Sequence, residues 1–269
     1  MSAPIGVLGG SGFYEFLTGA EAHEIDTPYG PPSAAVMVGA LDGQSVAFLP
    51  RHGVDHRFPP HRVNFRANLW ALRAVGVERL ISPCAAGSLR PDIHPGDFVV
   101  LDQLVDRTWG RADTFNDGPH LHHIGFADPY CPAVGGVLAE AGRANDITVH
   151  DRGAVVVVNG PRFSTRAESK WFRSQGWDVV NMTQYPEAAL ARELGLCFGG
   201  IALVTDYDTG VADDDAAVEM HDVLTVMREN VERLRGLLAT AIGALGALAG
   251  ADERTCRCAE GLGAHLANP

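Results

Sequence analysis

Short, continuously apolar runs alternate with segments of helical periodicity along most of this chain. Runs without polar alternation are typical of strands that helices cover on both faces. The segment 5–12 is predicted to be a strand that runs into a tight glycine turn, and further strands are predicted at 34–38, 45–49, 79–82, 98–101, 154–158 and 196–204. Helices are predicted at 64–76, 132–144, 164–175, 186–194 and 215–248. This alternation predicts an α/β fold with a central mixed, mostly parallel β-sheet covered by helices.

No linker rich in Pro, Gly or Ser divides this pattern. The length of 269 residues suits one large domain or two small ones, and residues 1–250 are therefore predicted to form a single domain. Residues 251–269 are polar and poorly patterned, which predicts a loose C-terminal tail.

The acidic net charge of the chain limits the kinds of molecule that it is expected to bind. The chain has 33 Asp and Glu against 21 Lys and Arg, a formal net charge of −12, which argues against non-specific binding to nucleic acid or anionic membranes. The N-terminal residues lack the pattern of a signal peptide, and the most apolar stretch, 236–251, falls short of the ~20 residues of a membrane helix. We therefore predict a cytoplasmic protein without nucleic-acid or membrane partners.

Ligands of such sheets gather at the carboxyl ends of strands, where two candidate anion sites lie. The segment Gly9–Gly12 allows close approach of its backbone, and Ser11 adds a hydroxyl, although a plain tight turn is an equal interpretation. Arg51 and His52 follow the next strand end, where Arg offers a planar fork for phosphate oxygens and His a further donor. Because they begin the conspicuous basic segment of an acidic chain, an anion site is favoured over a solvated loop.

Two later segments also follow predicted strands or precede a helix. In Asn181-Met182-Thr183, the Thr183 hydroxyl at a helix N-terminus can bind an anion, although ordinary capping is the favoured interpretation of this segment alone. Asp206 and Asp208 follow the strand that ends at residue 204. Carboxyls this close raise one another's pKa, so one can hold a proton near neutral pH and donate it to a ring nitrogen. The alternative is a surface turn with two solvated acids.

No metal site is predicted. His120, His122 and His123 lie close together, but the chain has neither a Cys/His quartet nor a His-Glu-x-x-His motif. Cys256 and Cys258 form a Cys-x-Cys motif near the C-terminal end. Without a second pair this is a weak zinc signal, and free thiols or a strained disulfide explain it equally well.

Several ordered motifs between Ile5 and about Asn230 together resemble a known family. They are GVLGGSGFY, LPRHGVDHRFPPHRVNFRANLWAL, AAGSLRPDIHPGDFV, FADPYCP, VNGPRFSTRAES, NMTQYPEAALARELG and ALVTDYD. The chain resembles the trimeric purine nucleoside phosphorylases and methylthioadenosine phosphorylases. That resemblance implies a glycosyltransferase in which inorganic phosphate attacks the anomeric carbon of a nucleoside and releases a purine and a pentose 1-phosphate. It implies phosphate as co-substrate and no metal or organic cofactor.

The resemblance also implies roles for individual residues. The phosphate is expected to contact Ser11, Arg51, His52, Thr183 and the backbone around Cys84 and Ala85. Met182 is expected to pack against the ribose, and Asp206 is expected to donate to purine N7. Asp208 and Ser164 are expected to form the base pocket. Cys84 departs from the family pattern, because methylthioadenosine phosphorylases usually have a phosphate-binding Thr there and a thiol is a weak donor.

Two positions distinguish the substrate branches of that family, and a third indicates how its subunits assemble. Asp206 resembles the 6-aminopurine branch, since the 6-oxopurine branch commonly has Asn there. Met220 aligns where the oxopurine branch has a His for the 5′-hydroxyl, and Met suits a methylthio group better. Val223 should line the same pocket. A helix rotated by one residue would instead present His221. His123 matches a position that reaches a neighbouring subunit's site, which implies a homotrimer with sites at its interfaces.

The expected reaction is phosphorolysis of S-methyl-5′-thioadenosine, or a related 5′-substituted adenosine, to adenine and 5-methylthioribose 1-phosphate. The main alternative is a 6-oxopurine nucleoside phosphorylase that acts on inosine, guanosine or methylthioinosine. A nucleosidase that uses water and a purine-binding regulatory protein without turnover are further alternatives. The Arg51-His52 pair argues against the first of these, because a hydrolase needs no phosphate site.

Overall fold

The computed structural model describes residues 3–9, 17–119, 122–211, 217–249, 256–263 and 266. Its strands form one sheet, in which β5 occupies the centre and pairs with β1, β10 and β11. The strands are β1 (Ile5–Gly9), β2 (Thr18–His23), β3 (Val36–Leu41), β4 (Gln44–Pro50), β5 (Arg79–Ser88), β6 (Phe98–Leu101), β7 (Gln103–Arg107), β8 (Val149–His150), β9 (Ala154–Val158), β10 (Val179–Asn181) and β11 (Cys197–Tyr207). Six of the ten pairings among the described residues are parallel, so the predicted mixed, mostly parallel sheet is confirmed.

Five α-helices among the described residues cover this sheet. They are α1 (Phe65–Ala74), α2 (Pro132–Ala144), α3 (Arg166–Ser174), α4 (Gln184–Glu193) and α5 (Met220–Ala249). Local sequence fixes several of their ends. The Asn64 side chain accepts a hydrogen bond from the Ala67 amide at the start of α1, and Thr165 and Glu168 form a capping box at the start of α3. None of the described helices is both long and apolar enough to cross a membrane.

The core lies on both faces of the sheet, because successive strand residues point to opposite faces. Leu8 and Leu80 belong to one apolar cluster, which α1 and α4 complete. Their neighbours Val7 and Ile81 belong to a second cluster, which α2 and α5 complete. The chain is therefore a single three-layer α/β domain, as predicted.

Part of the C-terminal segment packs onto this domain. A short 3₁₀ turn, Cys258–Gly261, contacts α4, and the side chains of Cys258 and Leu266 are buried. These residues are therefore not loose, contrary to the expectation for 251–269. The proposed boundary at residue 250 stays a prediction.

Candidate active site

A cavity of about 380 Å³ opens where the central strands end. Its volume suits a small metabolite. Eleven of the thirteen predicted site residues line it: Arg51, His52, Cys84, Ala85, Ser164, Met182, Thr183, Asp206, Asp208, Met220 and Val223. Ser11 lies outside the described residues. His123 is exposed and is not among the lining residues, so its predicted place in a neighbouring subunit's site stays a prediction.

Strand direction explains why residues so distant in sequence meet. β4, β1, β5 and β11 run parallel to one another, so their carboxyl ends lie at one edge of the sheet. Arg51 follows β4, and Asp206 lies near the end of β11. β10 runs antiparallel to β5 with Val180 opposite Gly87, which brings the following residues, Met182 and Thr183, toward the cavity from the other direction.

A β-bulge near the end of β11 sets the direction of its polar side chains. Val204 pairs with Ala86, but Asp206 pairs with the next residue, Gly87, so that Thr205 is the additional residue. Bulges of this kind re-aim side chains and are frequent beside active sites. Thr205 and Asp206 consequently both line the cavity.

Arg51 is buried, and its fork is already occupied by protein groups. Nε donates to Glu187 Oε1 at 2.5 Å and Nη2 donates to Glu187 Oε2 at 3.1 Å. Nη2 also contacts the Leu8 carbonyl and the Ser82 hydroxyl, both at 2.7 Å. Protein groups therefore occupy the Nε and Nη2 side of the guanidinium, and binding of phosphate by Arg51 stays a prediction. Nη1 has one described contact, with the Pro83 carbonyl at 3.2 Å, so one of its two N–H groups remains for a ligand.

Glu187 belongs to a buried network that sequence reasoning did not identify. The carboxylate is fully buried and also accepts a hydrogen bond from the Ser82 hydroxyl at 2.7 Å. Gln184 donates to the same hydroxyl at 2.8 Å and accepts from Tyr130 at 3.1 Å. Glu187, which follows Pro186 at a helix start, was the residue from which this network could have been predicted, because a buried arginine needs a buried acid as its partner.

His52 is a neutral ring in this environment. Burial, and then the charge of Arg51, lower its pKa to about 4. Its Nδ1 lies 2.8 Å from the Phe58 carbonyl, which can only accept, so Nδ1 carries the hydrogen. Nε2 of the neutral ring is then an acceptor and not the donor expected from the sequence. It can meet phosphate by accepting from a protonated phosphate oxygen, or by donating after the ring takes up a proton.

Thr183 and Cys84 differ in what they offer an anion. Thr183 precedes α4, yet its side chain makes no capping hydrogen bond, so ordinary capping does not explain it. Its hydroxyl is buried and contacts only the Asn181 amide among the described residues, at 3.4 Å. Burial raises the pKa of the Cys84 thiol to about 12, so Cys84 is neutral and offers only a weak S–H donor.

Asp206 and Asp208 form the acidic part of the cavity. The pKa of Asp206 is raised to about 6: burial raises it most, the Thr205 hydroxyl, 2.7 Å from Oδ1, lowers it, and the charge of Asp208 raises it. Burial also raises the pKa of Asp208, although the nearby hydroxyls of Ser169 and Ser164 lower it. Asp208 Oδ2, Ser164 Oγ and Ser169 Oγ are buried, and although these groups lie near one another, none of the three atoms makes a close hydrogen bond among the described residues. Unpaired buried polar atoms in a cavity indicate positions that a ligand satisfies.

The start of α5 presents Met220 and Val223 to the cavity. Val223 is buried, whereas Met220 is 54% exposed. His221, the alternative for a rotated helix, is exposed and is not among the lining residues. The helix therefore has the orientation that the alignment through Val223 predicted.

Two positioning residues escaped the sequence analysis. Arg111 donates to the carbonyls of Asn159 and Met182, both at 2.9 Å, and so fixes the backbone that carries Met182. Gly160 has a φ of +65°, and a Cβ there would lie 2.5 Å from Met182 Sδ. Neither residue belongs to a recognisable sequence motif. Sequence analysis could not find them, because each acts through contacts with residues distant in sequence.

Gly87→Ala is expected to reduce turnover roughly ten- to a hundredfold, because misplacing a reacting group by about 1 Å has effects of this size. A Cβ at residue 87 would lie 2.9 Å from Asp206 Oδ2 and 3.3 Å from Val180, so the carboxyl must move. Steady-state kinetics measure the effect. Gly136→Ala is the matched control, because its Cβ has no neighbour within 4 Å. Equal activity of the two variants would show that the position of Asp206 is unimportant.

Comparisons with known proteins extend over most of this chain. The model of the family described as the phosphorylase superfamily matches residues 4–243. A purine nucleoside phosphorylase of Streptomyces coelicolor is 51% identical over 271 aligned positions, which span 98% of this chain and 95% of that protein. An S-methyl-5′-thioadenosine phosphorylase of Mycobacterium tuberculosis is 53% identical, over 94% of this chain and 91% of that protein.

Solved structures share the fold. The methylthioadenosine phosphorylase of Schistosoma mansoni in complex with adenine superposes with a TM-score of 0.88 at 36% identity, over 96% of each chain. A methylthioadenosine phosphorylase from an antarctic soil metagenomic library gives a TM-score of 0.88 at 36% identity, over 98% of this chain and 96% of that one.

Proposed function

Because this chain belongs to the phosphorylase superfamily and is a pentosyltransferase of the purine nucleoside phosphorylase type, we propose that its substrate is S-methyl-5′-thioadenosine. Inorganic phosphate would replace adenine at C1′ and form 5-methylthioribose 1-phosphate. The observation that carries this proposal is one cavity that combines Arg51 and Thr183 with a carboxyl of raised pKa, Asp206, and an apolar wall at Met220.

The chemistry divides between two groups of residues. A phosphate oxygen attacks C1′ as the bond to purine N9 breaks, so positive charge develops on the ribose and negative charge on the leaving base. The phosphate dianion stabilises the first charge. A proton given to N7 by Asp206 neutralises the second. Asp208 Oδ2 and Ser164 Oγ remain to bind the base, and a carboxylate oxygen suits a 6-amino group.

Phosphate would lie against the network centred on Arg51. The Nη1 group of Arg51, the Thr183 hydroxyl and the backbone around Cys84 and Ala85 are the donors that the cavity offers, with Ser11 expected beside them. A dianion next to His52 would raise the pKa of that ring toward its ordinary value, which allows a charge-assisted hydrogen bond. Phosphate acts here as co-substrate, and we propose that the reaction needs no cofactor.

Release of adenine from S-methyl-5′-thioadenosine with and without phosphate tests this function directly. We expect product only with phosphate, together with a 1-phosphate sugar that is detectable by ³¹P NMR. Product without phosphate would identify a nucleosidase. Binding of adenine without any turnover would identify a regulatory protein.

The second candidate is a 6-oxopurine nucleoside phosphorylase. The 51% identical Streptomyces coelicolor relative, named a purine nucleoside phosphorylase, favours it. Inosine and guanosine in the same assay distinguish the two, because Asp206 becomes a carboxylate once it gives its proton to N7, and a carboxylate would repel O6 of a 6-oxopurine. Faster phosphorolysis of inosine than of S-methyl-5′-thioadenosine would establish this candidate.

Met220 is expected to give a preference for S-methyl-5′-thioadenosine over adenosine of about ten- to a hundredfold in kcat/KM. Once a neighbouring subunit closes this side of the cavity, an apolar wall leaves a 5′-hydroxyl unpaired and away from water, which costs roughly 1–3 kcal/mol. Met220→His should reduce this ratio, since imidazole can pair with the hydroxyl. His221→Ala, at an exposed neighbouring position, should leave the ratio unchanged. A wild-type ratio near one would refute the role of Met220.

We further propose that the enzyme works in the cytoplasm as a homotrimer. The exposure of Met220 and His123 supports this, because a neighbouring subunit that supplied His123 would close the open side of the cavity. Light scattering of the purified chain, and loss of nucleoside affinity in His123→Ala without loss of trimer, test this arrangement.

A further inference from the structure

Four cysteines meet at one point, and none of them lines the active-site cavity. The Sγ atoms of Cys131, Cys197, Cys256 and Cys258 all lie within 4.8 Å of one another. We propose that these four thiolates form a structural zinc site. The Cys-x-Cys motif supplies one ligand pair, and the fold supplies the second pair that the sequence did not reveal.

The mutual distances fit a tetrahedral ion. Zn–S bonds of about 2.3 Å place tetrahedral sulfur atoms about 3.8 Å apart. Cys197 Sγ and Cys256 Sγ are 3.4 Å apart, which exceeds the about 2.05 Å of a disulfide. Two disulfides require closeness only within each pair, whereas a metal requires every pair to be close, as found here. Tetrahedral S₄ sites select zinc or iron, and zinc is the ion that we assign.

Rigid core elements hold the first two ligands. Cys131 immediately precedes α2, and its amide donates to the Phe198 carbonyl of β11 at 2.7 Å. Cys197 begins β11, and its amide donates to the Glu78 carbonyl at 2.9 Å. Both side chains are buried, so this half of the site is positioned by the sheet.

The other two ligands come from the C-terminal segment, which is also held in place. The Gly261 carbonyl lies 3.1 Å from His122 Nε2, and a Cβ at Gly261 would lie 2.2 Å from the Arg192 carbonyl. Zinc would therefore fasten residues 256–263 to α2 and β11. Four protein ligands leave no open position, so the ion has a structural role and no part in phosphorolysis.

Metal analysis of the full chain, produced without a tag in zinc-supplemented cells and kept reduced, tests the proposal. We expect one zinc ion per chain by mass spectrometry, and at least about a tenfold lower content in Cys256→Ser and in Cys258→Ser. Cys84→Ser is the matched control and should retain its zinc, because Cys84 lies in the active-site cavity.

Replacing the bound metal with Co²⁺ in the wild-type chain tests the site without a substitution, so a folding defect of a variant cannot affect the result. Intense visible bands of tetrahedral thiolate-bound Co²⁺ would support the site. A reduced protein free of metal, iron in place of zinc, or disulfides among these four cysteines in the freshly isolated protein would overturn it. None of these measurements uses substrate, so failure of the proposed reaction would not affect them.

Discussion

Arg51→Ala is expected to lower the free energy of unfolding by about 3–5 kcal/mol, because it leaves a buried charge without its partner. Glu187 is fully buried, and after the substitution the Ser82 hydroxyl is the one group among the described residues that would remain to bind its carboxylate. Urea denaturation monitored by tryptophan fluorescence measures the loss. The expected size exceeds that of an ordinary hydrogen bond, since two of the lost contacts join opposite charges.

Arg57→Ala is the matched control for this prediction. Arg57 belongs to the same basic segment, but its ion pair with Asp55 is exposed and 3.8 Å long. Exposed pairs contribute about 0–1 kcal/mol, so Arg57→Ala should be nearly neutral. If the two variants lost the same stability, Arg51 would not be a structural residue.

The phosphate role of Arg51 requires a second measurement. Arg51→Lys keeps a positive charge for Glu187 but loses the Nη1 donor that we assign to phosphate. We expect it to raise KM for phosphate much more than KM for the nucleoside. A phosphate KM equal to that of the wild type would limit Arg51 to supporting the fold.

The sequence predicted the helices and the buried strands well because both have strong local patterns. The predicted bounds of α2, β6 and β9 agree with the structure, since each is a compact apolar segment. β2 and β7 were missed because most of their residues are polar or exposed, which hides the alternation of an edge strand. β8 and the buried β10 were also missed, because two or three residues are too few to form a pattern. β5 was predicted too short, because Pro83 and the small residues after it do not favour a strand by themselves.

The site was predictable to the extent that it depends on strand ends. Arg51 and Asp206 each follow an apolar run, and parallel strands must bring such residues to one edge. Thr183 is different, because it follows β10, which runs antiparallel to β5 and reaches the cavity from the other direction. What each group can donate was not predictable in the same way. The pairing of Arg51 with Glu187 joins residues 136 positions apart, and the tautomer of His52 depends on the Phe58 carbonyl.

Asp206→Asn is expected to reduce turnover of S-methyl-5′-thioadenosine by about 10²–10⁴-fold, the usual contribution of a general acid. An amide keeps the size of the side chain and can donate a hydrogen bond to N7, but it cannot transfer a proton. Because an amide can also donate to O6, phosphorolysis of inosine should lose less. Specificity constants for both nucleosides measure the difference, and equal losses would show that Asp206 does not select the base.

The pH profile provides the sharper test of the same residue. Only protonated Asp206 can act as the acid, and its pKa is about 6, so kcat/KM at saturating phosphate should fall roughly tenfold per pH unit above that value. Asp206→Asn should abolish this dependence. Thr205→Val removes a hydroxyl that stabilises the carboxylate, so it should raise the pKa of Asp206 and move the fall in activity to higher pH. A shift to lower pH in Thr205→Val, or an unchanged profile in Asp206→Asn, would assign the proton to another group.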